Sequence, residues 1–304
     1  MDPAAAASPA WKSALVFATC TLIWGTTFLF IRIGNDTMPP LWAAALRLLL
    51  ASAILFVIGT LTRQPLPRGA ALRGAAWYGL FTFGINLPLL YWGETAVPSS
   101  VSAILFATVP LTSALLAWRV GLESFSPARL IGAVIAAAGI ATIFWGEQRT
   151  QLSPWPMAAV MLATLAAVLG TIIYKRAPHQ AAVPANTVAT LIGGVLCLGY
   201  SLIAHERMAL PTTSSAWVAL LYLTIGGSVG AFVLWTWLVS RWPVSRLSFI
   251  AVITPLIALT LGALVRGERL AGSSLVGAAI VLVGVVVGLQ IGRSTPHGNP
   301  ARRT

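Results

Sequence analysis

Residues 92–140 read WGETAVPSSVSAILFATVPLTSALLAWRVGLESFSPARLIGAVIAAAGI, and 145 positions later residues 237–285 read WLVSRWPVSRLSFIAVITPLIALTLGALVRGERLAGSSLVGAAIVLVGV. Without a gap, Trp92 falls on Trp237, Pro98 on Pro243, Ser100 on Ser245, Pro110 on Pro255, Glu123 on Glu268, Gly132 on Gly277 and Gly139 on Gly284. Leucine and alanine coincide easily in so apolar a chain; paired Trp, Pro, Glu and Gly do not. The same shift sets Gly25 on Gly170 and Thr26 on Thr171, which carries the duplication back to the start of each half. Internal similarity at a fixed spacing marks repeated structural units, so the chain divides into residues 1–150 and 151–304.

The units belong in a bilayer. Of 304 residues, 58% are hydrophobic and 9% charged, against roughly a quarter charged in soluble proteins. Mean hydropathy of +0.86 leaves too little polar surface for a water-soluble fold and excludes disorder, which needs an apolar-poor chain. A hydrocarbon core about 30 Å thick takes about 20 apolar residues of helix. Apolar runs of that length, interrupted by charge only at Arg47 and, near one end, Arg32, lie near 13–33, 41–61, 74–93, 96–118, 130–146, 155–174, 185–204, 214–239, 247–265 and 271–291. They are continuously apolar, unlike the alternating strands of a membrane barrel. The expected fold is therefore an all-α integral membrane protein with ten transmembrane helices. The first run exceeds the apolar length of a signal peptide and no cleavage site follows it, so it reads as a retained helix.

Net charge is +12. The basic residues stand singly at the ends of apolar runs rather than in a stripe with aromatics, so no nucleic-acid partner is expected. With the N-terminus in the cytoplasm, thirteen Lys and Arg fall inside and five outside: Arg32, Arg149, Arg207, Arg266 and Arg269. The positive-inside bias then places both termini in the cytoplasm. Seven tryptophans, among them Trp11, Trp42, Trp145 and Trp155, stand near span ends, as interfacial rings do. Cys20 and Cys197 lie inside spans and read as apolar buried thiols.

Five helices per half is an odd number, so the second half enters the membrane from the opposite side. Inverted repeats recur in secondary transporters, where two similar halves can exchange conformations around a midplane site.

In this order and doubled, the motifs resemble the drug/metabolite transporter superfamily and, within it, the EamA-type ten-helix permeases. The resemblance rests on Trp24, Gly25, Thr26, Thr27 and Phe28, on Leu46, Arg47 and the run to Ala51, and on the repeated pattern from Pro98 to Gly139 and from Pro243 to Gly284. It implies a central cavity lined by helices 1, 3, 4, 6, 8 and 9, with helices 5 and 10 peripheral, and export of amino acids or related small metabolites across the cytoplasmic membrane. Two positions depart from the internal repeat: Leu169 stands where Trp24 would, and Ile192 where Arg47 would. The halves are chemically unequal there.

Arg47 is the most informative residue, because a guanidinium near a helix centre costs about 2.5–3.5 kcal/mol on insertion scales. It can fix helices by capping carbonyls, snorkel to the outer interface, or meet a substrate carboxylate. Glu94, at the outer end of helix 3, is either a solvated helix-end carboxylate or a proton-coupling site. Glu123 and Glu268 lie beside arginines in loops, where local pairing accounts for them. Pro110 and Pro255 fall inside spans 4 and 9 and are expected to break or kink them. Trp24, Thr26, Thr27, Asn86, Tyr91, Trp92, Thr112, Thr171, Tyr174, Ser228, Trp235 and Thr254 are the uncharged polar and aromatic candidates for a binding pocket, although single Ser and Thr often bond their own helix. Ser113 and Ser248 are further intramembrane hydroxyls of the same kind. The glycines of helix 10, at 284, 288 and 292, suit close packing inside the bundle or in a homodimer.

No catalytic constellation, cofactor motif or metal site is expected. His179, His205 and His297 are isolated in loops or the tail, and HExxH, CxxC and Gly-rich phosphate loops do not occur. The expectation is a permease working by alternating access, with a passive channel and a membrane enzyme as competing classes. Its partners are the bilayer and a small-molecule substrate.

Overall fold

Apolar runs become helices throughout, because in hydrocarbon every backbone N–H and C=O must be satisfied within its own segment. The computed structural model describes residues 10–121, 127–148, 153–178, 180–242, 247, 250–267 and 272–290. Glu123, Glu268, Pro243, Ser245, Ser248, His179 and His297, and among the cations Arg149, Arg246, Arg269, Arg293, Arg302 and Arg303, lie outside the described residues.

The order is α1 (Ala10–Asn35), α2 (Pro40–Leu61), α3 (Gly69–Gly79), a π-helical segment (Leu80–Ile85), α4 (Asn86–Gly93), α5 (Ser99–Phe106), α6 (Val109–Arg119), α7 (Pro127–Gln148), α8 (Pro154–Arg176), α9 (Ala182–Ile203), α10 (Ser214–Tyr222), a second π-helical segment (Leu223–Gly230), α11 (Ala231–Val239), α12 (Ile250–Arg266) and α13 (Gly272–Gln290). No strand occurs among the described residues. Among the described residues, six helical stretches are long and apolar enough to cross a membrane: Trp11–Asn35, Pro40–Leu61, Ser99–Arg119, Pro154–Arg176, Ala182–Ile203 and Ser214–Val239.

Proline sets several starts. Pro40, Pro127 and Pro154 open α2, α7 and α8, where a missing N–H costs nothing. The first turn of α2 has no local side-chain cap; instead the distant Glu206 carboxylate accepts from Leu41 N at 3.2 Å and Trp42 N at 2.8 Å. An anion at a helix N-terminus satisfies orphan donors and the helix dipole together.

Two expected spans are not uniform α-helix. The run 74–93 is divided by the π segment Leu80–Ile85, and the run 214–239 by Leu223–Gly230. Adding 145 to 80 and 85 gives 225 and 230, inside the second segment, so the irregularity itself repeats. Pro88 lies just after the first and denies a donor to the Gly84 carbonyl; the second has Val233 in that place and three glycines, Gly226, Gly227 and Gly230, instead. π segments displace side chains from helical register and often accompany functional sites.

The proline pair also diverges. Pro110 sits in the first turn of α6, after a break at Ala107–Thr108. Pro255 lies inside the unbroken α12, and the Thr254 hydroxyl donates to the Ala251 carbonyl that Pro255 cannot serve, at 3.4 Å.

Packing pairs α2 with α9, α1 with α12, and α7 with α13. The last contact depends on glycine. A Cβ on Gly139 would lie 2.7 Å from the Gly277 carbonyl oxygen, one on Gly277 2.7 Å from the Gly139 carbonyl oxygen, and one on Gly284 2.6 Å from the Gly132 carbonyl oxygen. Helix 10 therefore spends Gly277 and Gly284 on packing within the chain. The outer surface carries large apolar side chains, including Leu22, Val57, Trp77, Ile203 and Leu264, a distribution suited to lipid. Cys20 and Cys197 are buried and free.

Candidate functional site

The largest fully buried side chain is that of Arg47, 1% exposed. Its Nε donates to the Ser228 hydroxyl at 2.8 Å and its Nη1 to the Tyr91 hydroxyl at 3.3 Å. This corrects the snorkelling alternative: the guanidinium stays inside the bundle. Gly227 makes room for it, since a Cβ there would lie 2.9 Å from Nη2. The repeat explains why only one such site exists. The positions equivalent to Arg47 and Ser228 carry Ile192 and Phe83, so an apolar pair of residue types in one half replaces a polar one in the other.

Arg47 faces a cavity whose empty volume, counting the space open to solvent at its mouth, is about 970 Å³. Its wall comes from α1 (Trp24, Thr27, Phe28), the first π segment and α4 (Thr82, Asn86, Leu87, Leu90), α5 and α6 (Phe106, Val109, Ser113), α8 (Ala167, Val168, Thr171), α11 (Phe232, Trp235), and Leu247 with α12 (Ile250, Ala251, Thr254). These are the six helices that the family resemblance implies, with Arg47 of α2 added. No described residue of α7 or α13 contributes.

Aromatic rings shape the wall. Trp24 meets Trp235 edge-on at 4.9 Å between centroids and Phe232 at 5.4 Å, and Phe28 meets Phe106 edge-on at 5.4 Å. Such offset geometry suits the ring quadrupoles. Two polar atoms on this wall, Thr82 Oγ1 and Asn86 Oδ1, are buried and have no hydrogen-bond partner.

Of the thirteen pocket candidates, Trp24, Thr27, Arg47, Asn86, Thr171, Trp235 and Thr254 reach the cavity. Tyr91 and Ser228 stand behind it, holding Arg47. Thr26 bonds the Tyr222 hydroxyl and the Ile23 carbonyl instead. Thr112 donates to the Thr108 carbonyl, and Trp92 is 43% exposed. Tyr174 lines a separate hollow of about 490 Å³ with Lys175 and Gln180. Glu94 is fully buried rather than solvated at a helix end, and it is not part of the cavity wall.

Thr82 is the polar wall residue that sequence reasoning missed. It lies inside the π segment, where α-helical spacing does not hold, so its distance of four residues from Asn86 was no guide to the face it occupies.

Comparison with known proteins agrees with this architecture. The chain is 27% identical over 242 residues to the uncharacterized inner membrane transporter YedA of Escherichia coli (strain K12), covering 79% of this chain and 78% of that one. It is 28% identical over 253 residues to protein PagO of Salmonella typhimurium, covering 81% and 83%, and 26% identical over 255 residues to protein PecM of Dickeya dadantii, covering 83% and 82%. A crystal structure of a protein 19% identical in sequence superposes with a TM-score of 0.64 over 94% of this chain and 100% of that one, which shows a shared fold. The model of the EamA-like transporter family matches twice, at residues 11–145 and 154–289. With a repeated helical unit, a cavity walled by both copies and a family match over both, this chain belongs to the EamA-like transporter family.

Proposed function

We propose that this membrane transporter is a secondary carrier that exports small metabolites, amino acids or related compounds, across the inner membrane by alternating access. Ten transmembrane helices form two inverted five-helix repeats, 1–150 and 151–304, with both termini cytoplasmic. The observation that carries this reading is the cavity of about 970 Å³ walled by residues of both family matches. Rocking one repeat against the other would open such a site to one side at a time. Support for the inner membrane comes from the relative YedA, an inner membrane transporter, and for the orientation from the thirteen-to-five charge bias.

A carrier fits the wall better than an enzyme does. The described lining holds no histidine, cysteine or carboxylate to act as base or nucleophile, and no cofactor is invoked. The bilayer and the cargo are the partners of this reading, with no nucleic acid. A homodimer would use surfaces other than Gly277 and Gly284.

Counterflow in proteoliposomes tests the proposal. A carrier accelerates labelled substrate when unlabelled substrate is present on the opposite side; simple leak without that acceleration would mean a channel.

A further inference from the structure

The cavity wall is electrically one-sided. Arg47 is its only charged residue among those described, and arginine does not release its proton at cellular pH. Both of its hydrogen-bond partners are hydroxyls, which satisfy donors but bring no negative charge. On the same wall, Thr82 Oγ1 and Asn86 Oδ1 are buried without hydrogen-bond partners, in residues 4% and 6% exposed. Buried polar atoms are nearly always paired, so a fixed cation with two unpaired polar groups reads as a site for a ligand's polar end. The rest of the wall, with Trp24, Phe106 and Trp235, is apolar and aromatic.

Among the described residues, the wall offers no counter-ion for a ligand cation. The whole sequence holds seven carboxylates. Asp36 pairs with Arg266, Glu206 is bound to the start of α2, and Glu94 is outside the wall. Glu147 is in the last turn of α7, a helix that gives the cavity nothing. Asp2, Glu123 and Glu268 belong to tail and loop sequence outside every apolar run.

Resting on the carrier reading above but narrowing its cargo away from amino acids, we infer that the cargo is an amphipathic organic monoanion: a carboxylate without an ammonium group, held by Arg47 and the Thr82 hydroxyl, on an aryl body seated among Trp24, Phe106 and Trp235. A guanidinium matches a carboxylate in charge and in fork geometry. A zwitterion would bring its ammonium into a wall whose described residues hold no anion; the unpaired Asn86 Oδ1 can accept one hydrogen bond but carries no charge to offset the desolvation of a cation.

Four probes with one phenyl body test this on the full chain: 3-phenylpropionate, phenylalanine, phenethylamine and 3-phenylpropanol. Binding is read by calorimetry and by quenching of tryptophan fluorescence. The expected result is that 3-phenylpropionate binds at least tenfold more tightly than phenylalanine and more tightly than the neutral alcohol. Arg47→Gln should remove that preference while leaving the alcohol's affinity within about twofold. If Arg47→Gln does not fold, Thr82→Val is the second variant, expected to weaken the anion several-fold and the alcohol little. Equal or tighter binding of phenylalanine or phenethylamine overturns the inference, as does a series in which the anion binds no better than the alcohol. Counterflow with the same probes separates the two proposals: tight anion binding without counterflow sinks the carrier and keeps the ligand class, whereas counterflow of phenylalanine but not of phenylpropionate does the reverse.

Discussion

Arg32 and Lys175 cap repeat-equivalent helix ends. Arg32 Nη1 donates to the carbonyls of Glu94 and Val97 at 2.8 and 2.7 Å; Lys175 Nζ donates to those of Val239 and Trp242 at 2.6 and 3.1 Å. Adding 145 to 94 and 97 gives 239 and 242, so the acceptors correspond although the donors differ in chemistry. Each cation, in the last turn of a long helix, holds the C-terminal end of another, where orphan carbonyls and the helix dipole favour positive charge.

Arg32→Ala and Lys175→Ala should each lower stability by about 1 kcal/mol, the scale of a partly buried cation at a helix C-terminus. Since the two share no partner, the double variant should lose the sum. Thermal unfolding of the four proteins in detergent checks this, and strong non-additivity would mean that the caps are coupled through the bundle.

Crowding the α7–α13 seam should be costly. Gly139→Ala puts a methyl group 2.7 Å from a backbone oxygen of the facing helix, and overpacking of this kind costs about 1–3 kcal/mol. Gly199→Ala in α9, where nothing lies within 4 Å of the new Cβ, is the control and should leave the melting temperature unchanged. Equal melting temperatures for both variants would contradict the seam.

The two prolines should respond differently. Pro255→Ala restores an N–H for the Ala251 carbonyl inside α12 and should raise stability by about 1 kcal/mol, a fraction of the roughly 3 kcal/mol an interior proline costs in a soluble helix. If the proline serves transport, counterflow should slow in the same variant. Pro110→Ala, in the first turn of α6, should change neither measurement appreciably.

Tyr91→Phe removes one hydrogen bond to Arg47 and little volume. A bond of this kind is worth about 0.5–1.5 kcal/mol, so apparent affinity in counterflow should weaken about three- to tenfold, with the maximal rate little altered. A fall in rate at unchanged affinity would assign Tyr91 a part in motion rather than in holding Arg47.

Helix positions were legible in the sequence because continuous apolar length determines them. Which side of each helix faces the cavity was not. In water an amphipathic stripe marks the inner face, but in lipid both faces are apolar and neighbouring residues cannot be told apart. Thr27 lines the cavity while Thr26 bonds Tyr222; Ser113 lines it while Thr112 bonds its own helix; Tyr91 is buried and Trp92 is exposed. The π segments compound the difficulty, since they shift register just where Thr82 and Ser228 are placed. Arg47 stood out because a charge within an apolar run needs a reason whichever way it points.

The glycine seam has a consequence for how such a chain can arise. Gly132 meets Gly284 and Gly139 meets Gly277, so what one repeat presents is what the other repeat receives. A surface that complements itself needs no second design: two separate copies of one repeat already carry everything required to dock along it. Joining them in a single chain adds no contact there; it leaves each copy free to specialise, and Arg47 opposite Ile192 is where that freedom has been used.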